Sequence, residues 1–380
     1  MQVPFYRHSL KSEEAEAVAQ VLNSPFLTSG PVCKDVEAQI SEFFEVNHTK
    51  LVSSWTNGAV ATLLALDIGP GDEVIVPAMT FIATANVVEM VGAKPVFVDC
   101  SPETFLIEAQ DIKKLITPKT KAIIPVHMYG QMCDIHSIRQ IIPDDQKIFI
   151  IEDCAHSFES KLNNHRPGKF SDVAIFSFYA TKNITCGEGG AIITNDINIY
   201  ERVVQAVHHG MSASAADRFK TGKYNHWGMD YLGTKANLPD LLACLLPKQI
   251  KNVDKQLLIR QEKANFYFEK LINSKIKMPK LVSNSVHAWH LFPIGVGIKN
   301  RDEILNVLAL NSIGITVNYR SVPNMKYYKD KYNIPIEEYK NSYSWGLETL
   351  SIPLYPSITN EEQQYVVDVL KNKIEPMIGN

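Results

Sequence analysis

A lysine in an unusual setting carries the strongest chemical signal in this chain. The segment Ser177–Gly190, SFYATKNITCGEGG, sets Lys182 between a buried apolar run and a glycine-bearing turn, with no carboxylate following it before Glu188. Lysines are normally solvated. In apolar surroundings the ammonium is disfavoured, and the freed amine can act as a nucleophile toward a carbonyl, as Schiff-base chemistry requires. A second constellation, IEDCAHS over Ile151–Ser157, ends an apolar run in Glu152 and Asp153 and places His156 one helical turn on. A Schiff-base lysine with a strand-end carboxylate is what pyridoxal phosphate asks for, because the carboxylate keeps the pyridine nitrogen protonated and the ring an electron sink. A capping Asp with a packed His is the plain structural alternative. Two further strings are compatible with that cofactor. SSWTNGA, Ser53–Ala59, opens a helix whose free N–H groups suit a phosphate, and TFIATAN, Thr80–Asn86, puts Phe81 just beyond a strand end. Each also reads as ordinary helix start and ordinary core.

These residues need a frame that brings them together. Five short apolar runs read as buried strands: Glu73–Pro77, Pro95–Asp99, Ala122–His127, Ile148–Asp153 and Val173–Phe178. Amphipathic stretches such as Ile112–Ile116 and Ile135–Ile142 lie between them, which predicts a mostly parallel sheet covered by helices. Most of the runs end in polar or special residues, Pro77, Asp99, His127, Asp153 and Ser177. Ligands bind beyond the carboxyl ends of such strands, so all five are expected around one crevice. Near the N-terminus, Ser12 with Glu13 and Glu14 starts a helix whose apolar stripe is Ala15, Val18, Ala19 and Leu22. After about Gly233 the pattern changes to a largely helical stretch, Leu238–Glu269. Strand-like runs follow at Leu291–Val296 and Gly314–Tyr319, with helices at Asp302–Leu310 and Glu361–Ile374. The expected division is 1–250 for a large cofactor-binding domain and 251–380 for a small α+β domain.

Composition narrows the partners. The 380 residues are 45% hydrophobic, ample for a large core, and 38 Lys and Arg against 41 Asp and Glu leave a net charge of −3. No long-range positive field favours nucleic acid or an anionic membrane, so neither partner is expected and an anionic ligand needs a local pocket. The N-terminal segment has no basic region followed by an apolar stretch, and no apolar run approaches the ~20 residues of a membrane span. Six scattered cysteines without a C-x-x-C pair argue against a disulfide framework or zinc knuckle. A cytoplasmic protein without a metal site is the expectation.

Taken together, these strings resemble the DegT/DnrJ/EryC1/StrS family of sugar aminotransferases, fold-type I pyridoxal-phosphate enzymes. The resemblance also covers Leu27–Pro31, Gly69–Pro77, Thr117–Tyr129, HAWHLF over His287–Phe292 and LSIPLYP over Leu350–Pro356. Within the family, the lysine segment and HAWHLF are most similar to those of the UDP-4-amino-4-deoxy-L-arabinose aminotransferases. The resemblance implies that Lys182 anchors the cofactor and moves the proton. Asp153 would pair with the pyridine nitrogen, His156 would contact the cofactor's 3-oxygen side, and Phe81 would stack on the ring. Thr56, Asn57 and Ser177 would hold the phosphate. Asn237 would reach the phosphate of the partner subunit's cofactor, which implies a homodimer with shared active sites. For the substrates it implies glutamate and 2-oxoglutarate with a nucleotide-linked keto sugar, aminated at C4 for cell-surface glycan or lipopolysaccharide synthesis. Thr28, Ser29, His287, Asn318, Tyr319 and Arg320 are the sugar-side candidates; Arg320, Lys326 and Arg218 are those for the diphosphate.

Departures from the family pattern gather on the substrate side. Trp55 stands where relatives more often have a small residue, Asn318-Tyr319-Arg320 where they often have a His-Tyr or His-Phe pair, and Met211–Trp227 and Pro239–Gln249 are looser. Amination at C3 therefore stays open, as do a sugar dehydration and a non-catalytic relative. The dehydratases replace the lysine with histidine, and a non-catalytic relative is expected to have lost Lys182 or Asp153; both are present. A nicotinamide dehydrogenase lacks its G-x-G-x-x-G here.

Overall fold

The computed structural model describes residues 1–212 and 226–379. Its strands are β1 (His48–Val52), β2 (Glu73–Pro77), β3 (Lys94–Val98), β4 (Thr120–Ile123), β5 (Phe149–Asp153), β6 (Lys161–Leu162), β7 (Val173–Ser177), β8 (Gly190–Thr194), β9 (Ser285–Val286), β10 (Phe292–Gly295) and β11 (Thr349–Ile352). Seven form one sheet in the order β1-β8-β7-β5-β4-β2-β3. From β7 to β3 neighbours run parallel, whereas β8 is antiparallel to both of its neighbours. The mostly parallel α/β sheet is thus as the sequence predicts, with β1 and β8 added to the five expected strands.

Parallel neighbours need helical crossovers, and helices accordingly cover both faces. Side-chain alternation sorts the strand residues. Val74, Val76 and Ile151 join a core with the helices Trp55–Ala65, Ala83–Met90 and Ile197–Ala206. Ile75, Ile123 and Ile150 face the other side, as do Phe176 and Ile193 against the helix Pro31–Phe44. The reversal into β8 matters for the site. An antiparallel return needs no crossover, so the chain turns back directly over the carboxyl end of β7, and that turn carries Lys182.

The C-terminal part is built on the 19-residue helix Val253–Leu271, the antiparallel pair β10–β11 and the helices Arg301–Leu310 and Asn360–Val369. Tyr267, Phe292, Ile294, Leu308, Leu350 and Val366 form its core. The N-terminus crosses into this unit: Val3 N–H donates to the Ser312 carbonyl (2.9 Å), and Gly314 N–H donates to the Val3 carbonyl (2.7 Å). A Cβ at Gly314 would lie 2.2 Å from the Phe5 nitrogen, so only glycine admits this approach.

Two sequence expectations are corrected. Gly314–Tyr319 makes one isolated bridge, at Thr316, in place of a strand; β11, which overlaps the start of LSIPLYP, is the strand that pairs with β10. The crossing N-terminus occupies one side of that segment, and the chain then turns toward the crevice. Strand β1 precedes the SSWTNGA helix, and that helix leads into β2, the first of the five expected strands. The N-terminal helix, Ser12–Leu22, presents Val21 and Glu14 inward, while Ala15, Ala19 and Leu22 are exposed. Its Glu14 carboxylate turns back to accept from the Lys11 N–H (2.7 Å), and a periodic stripe by itself does not say which face meets the body. Among the described residues, no helix is long and apolar enough to cross a membrane.

Candidate active site

The carboxyl ends of β5 and β7 and the N-termini of two helices enclose a cavity of about 440 Å³. Lys182 enters it from the β7–β8 turn, and burial of the amine pulls its pKa down from 10.5 to about 8, against the opposing pull of Asp153. Asp153 closes β5 on the face shared with the helix Ala83–Met90. Its carboxylate accepts from the Thr84 hydroxyl (2.9 Å) and the Ala155 N–H (3.1 Å). Burial nonetheless raises its pKa from 3.8 to about 6, so near neutral pH the cavity holds an ionised carboxylate beside a lysine ready to release its proton.

His156 is held in a defined tautomer. Its Nδ1 accepts from the Tyr129 N–H (3.2 Å), which leaves the ring proton on Nε2, 3.1 Å from the Tyr319 hydroxyl. Burial and the nearby Lys182 charge push its pKa well below 6.5, keeping the ring neutral. Tyr319 also lies near Phe81, at 5.7 Å between ring centroids, and Phe81 is 54% exposed at the mouth of the cavity. Asn318 is tied down by its carbonyl, which accepts from the Tyr129 hydroxyl (2.6 Å).

At the opposite end stands the helix Trp55–Ala65. Ser54 caps it by accepting from the Asn57 N–H (3.0 Å), and the first-turn N–H groups of Trp55 and Thr56 have no intrahelical acceptor. Gly190 lets this helix start so close to the sheet: a Cβ there would sit 2.5 Å from the Phe176 carbonyl oxygen and 3.0 Å from the Trp55 nitrogen. Ser177, at the end of β7, lines the same region. An amine, an acid and an anion-binding helix end thus share one cavity. That donor set fits a pyridine ring bearing an aldehyde and a phosphate.

Thr56, Phe81, Asp153, His156, Ser177, Lys182, Asn318 and Tyr319 all line the cavity. The other candidates lie elsewhere. The Asn57 amide donates to the Ser53 hydroxyl (2.9 Å). Asn237 donates to the Ser29 hydroxyl (2.7 Å), and the Thr28 carbonyl accepts from the Asp240 N–H, so these form a separate cluster. His287 is buried, accepts from the Trp289 N–H (2.9 Å) and stacks on that indole. Arg320 is exposed, and exposed Lys326 pairs with Asp330. Arg218 and the core of the Met211–Trp227 string lie outside the described residues.

Of the five strand-end residues, only Asp153 and Ser177 reach the cavity. His127 turns to Glu152 on the other face, and Asp99 accepts from the Asn341 and Ser342 N–H groups (both 2.9 Å). Pro77 is core. A strand end fixes height in the sheet, but the face and the neighbouring helices decide access. Sequence reasoning missed Ser54, Thr84, Tyr179, Glu188 and His290, all of which line the cavity. His290 lies within HAWHLF, from which the sequence reading names only His287 as a site candidate. Thr84 lies one helical turn beyond Thr80.

Comparison with known proteins agrees with the geometry. Residues 8–371 match the DegT/DnrJ/EryC1/StrS aminotransferase family. The fold is similar to that of the proposed sugar aminotransferase Spr1654 from Streptococcus pneumoniae, solved in PMP and PLP forms. Its PMP form gives a TM-score of 0.92 at 27% identity, covering 99% of this chain and 100% of that one. DesV from S. venezuelae gives 0.90 at 29% identity, covering 98% and 99%. PseC from Helicobacter pylori, an aminotransferase involved in the biosynthesis of pseudoaminic acid, gives 0.90 at 25% identity, covering 99% and 100%.

Proposed function

The chain belongs to the DegT/DnrJ/EryC1/StrS aminotransferase family, a pyridoxal-phosphate-dependent one, and from that premise we propose that it carries the amino group of glutamate to the C4 keto carbon of a nucleotide-linked sugar. The observation carrying this reading is the joint placement of Lys182 and Asp153 in one cavity with the free end of the Trp55–Ala65 helix. Pyridoxal phosphate, when bound, supplies the electron sink for the carbon that gains or loses nitrogen.

Each remaining task falls to the chain. The Lys182 amine anchors the cofactor, then takes and returns the proton at the substrate carbon; a pKa of about 8 lets it do both near neutrality. The ionised Asp153, braced by Thr84 and Ala155, holds a proton on the ring nitrogen. Thr56, Ser177 and the helix end take the phosphate, with Asn57 contributing its place in the first turn. Phe81 stacks on the ring, and neutral His156 faces its oxygen side. Asn318 and Tyr319 face the sugar, with Thr28, Ser29, His287 and Arg320 further out.

The reading extends to assembly. Leu22, Phe26 and Leu27, just before Ser29 in the chain, are exposed apolar residues that a second copy would cover. In such a homodimer Asn237 reaches the partner's phosphate. A large cofactor-binding domain, 1–250, and a small one, 251–380, complete the proposal, with the crevice between them taking a cytoplasmic nucleotide sugar destined for a surface glycan. The involvement of PseC in pseudoaminic acid biosynthesis supports a sugar role.

The experiment is a visible spectrum of the purified protein and of Lys182→Ala, followed by a panel of UDP-, dTDP- and GDP-linked keto sugars with glutamate. A Schiff-base band lost in Lys182→Ala and an amine delivered at C4 are expected. A colourless protein that pyridoxal phosphate cannot reconstitute would sink the cofactor roles; amination at C3, or none, would sink the sugar assignment alone.

A further inference from the structure

Three chain segments distant in sequence meet at Asn183, the residue after Lys182. Its Nδ2 donates to Glu159 Oε1 (2.8 Å) and to the Ala288 carbonyl (2.8 Å). Both amide protons are then spent, so it is Oδ1 that faces His290 Nδ1 at 3.3 Å. An acceptor at that point calls for the ring proton on Nδ1. In a neutral imidazole Nε2 is left with a lone pair, and Nε2 lies 3.5 Å from Lys182 Nζ. Among the described residues, no other side chain is within hydrogen-bond reach of that amine.

We propose that His290 is a positioning residue for Lys182: its Nε2 lone pair, held by an Asn183 tethered to Glu159, accepts one N–H of the amine and turns the amine's own lone pair toward the cavity. This deepens the reading of Lys182 as the nucleophile and rests on it. A freely rotating amine spreads its lone pair over three staggered positions. One directed hydrogen bond selects among them and preorganises attack on a carbonyl carbon.

The surroundings are consistent with a lone-pair acceptor. Burial, together with the Lys182 charge, holds His290 well below 6.5 and therefore neutral. It packs on His156, 4.3 Å between centroids, which fixes the ring plane. Glu159 is itself buried, with its second oxygen unpaired, and the Arg260 charge, with a smaller contribution from Arg166, offsets its own. The other titratable groups lining the cavity with the amine are Asp153 from β5, His156 from the turn after it, Tyr179 and Glu188 from the β7–β8 turn and Tyr319 from the C-terminal unit.

The test reads the lysine directly. Full-length, cofactor-free protein is treated with formaldehyde and cyanoborohydride, and methylation of Lys182 is followed by peptide mass spectrometry. The amine adds to the aldehyde carbon, water leaves, and hydride from the reductant reduces the resulting C=N bond. One pH unit above the Lys182 midpoint of about 8, His290→Phe should lower the rate roughly tenfold, the worth of one hydrogen bond. His290→Gln, whose side-chain oxygen can accept, should restore most of it. Glu159→Leu touches no part of the lysine, yet should lower the rate roughly threefold by loosening Asn183. In protein labelled with 15N-histidine, His290 should be protonated on Nδ1. Equal rates in wild type and His290→Phe, or a ring protonated on Nε2, would overturn the proposal. Should His290→Phe not fold, the tautomer and Glu159→Leu decide it. Failure of pyridoxal phosphate to bind would instead sink the cofactor reading, and the methylation result would stand apart from it.

Discussion

Glu152 and Asp153 are adjacent carboxylates at the end of one strand, yet they sit in two regions with opposite character. Glu152 faces the side of the sheet away from the cavity and is fully partnered. One of its oxygens accepts from His127 Nε2–H (2.6 Å); the other accepts from the Gly168 N–H (2.7 Å) and the Ser171 hydroxyl. His127 spends its remaining nitrogen accepting from the Cys133 N–H (3.0 Å). Cys154 also lies within metal-ligand distance of this pair, but His127 and Glu152 have already committed their ligand atoms to each other and to the chain. Asp153 faces the cavity with two local donors and a raised pKa. A carboxylate surrounded by fixed donors holds the fold together; one left short of partners is available to a ligand.

That contrast can be broken at either carboxylate. The largest effect is expected on the open side, where Lys182→Ala should abolish transamination, a loss of roughly a thousandfold or more in the rate of the chemical step in single-turnover assays. Asp153→Asn should follow, with activity down roughly a hundredfold or more and the fold retained, measured by kcat and by circular dichroism. The sealed side should answer in the other currency. Glu152→Ala leaves His127, Gly168 and Ser171 without an acceptor and should cost about 3 kcal/mol in denaturant unfolding, while the folded fraction keeps its turnover. If Glu152→Ala lost turnover without losing stability, the contrast would collapse.

Acid–base behaviour sharpens the same comparison. The folded pKa of Asp153, about 6, stands above the ordinary 3.8, so the folded chain binds more protons between these values. Cofactor-free protein should therefore lose stability from this group as pH rises from about 4 to about 6. Lys182 runs the other way: its folded pKa of about 8 lies below 10.5, so its contribution to stability should climb with pH across that interval. Thermal melts of wild type and Asp153→Asn across pH check this, with the wild-type decline absent from the variant. The smallest effect is expected at Ser54→Ala, which removes a helix cap worth about 1 kcal/mol and loosens the turn that faces the phosphate.

Much of the site was legible because its signals are local. Lys182 follows an apolar strand by a few residues, and Asp153 ends another, so chemistry and position could be read from one short window each. His290 and Thr84 were less legible because their importance lies in what they face. Neither of their motifs contains the partner, which for His290 is Lys182 and for Thr84 is Asp153. His287 shows the converse: it shares a motif with His290 but turns into the core against Trp289. The N-terminal helix was misjudged for a similar reason, since periodicity marks a stripe without saying what will cover it.

The sequence alone determined that this chain forms a covered parallel sheet carrying a desolvated lysine and a strand-end acid, because burial and period are written residue by residue. It also implied that Glu152 and Asp153 point to opposite faces, since alternation along a strand is set by backbone geometry. Only the tertiary structure decided which face holds the cavity. That choice depends on where the helices pack and on β8 running antiparallel, which turns the chain at Lys182 back over the end of β7. Contacts between segments far apart in the chain made one carboxylate a structural tie and its neighbour a candidate cofactor ligand.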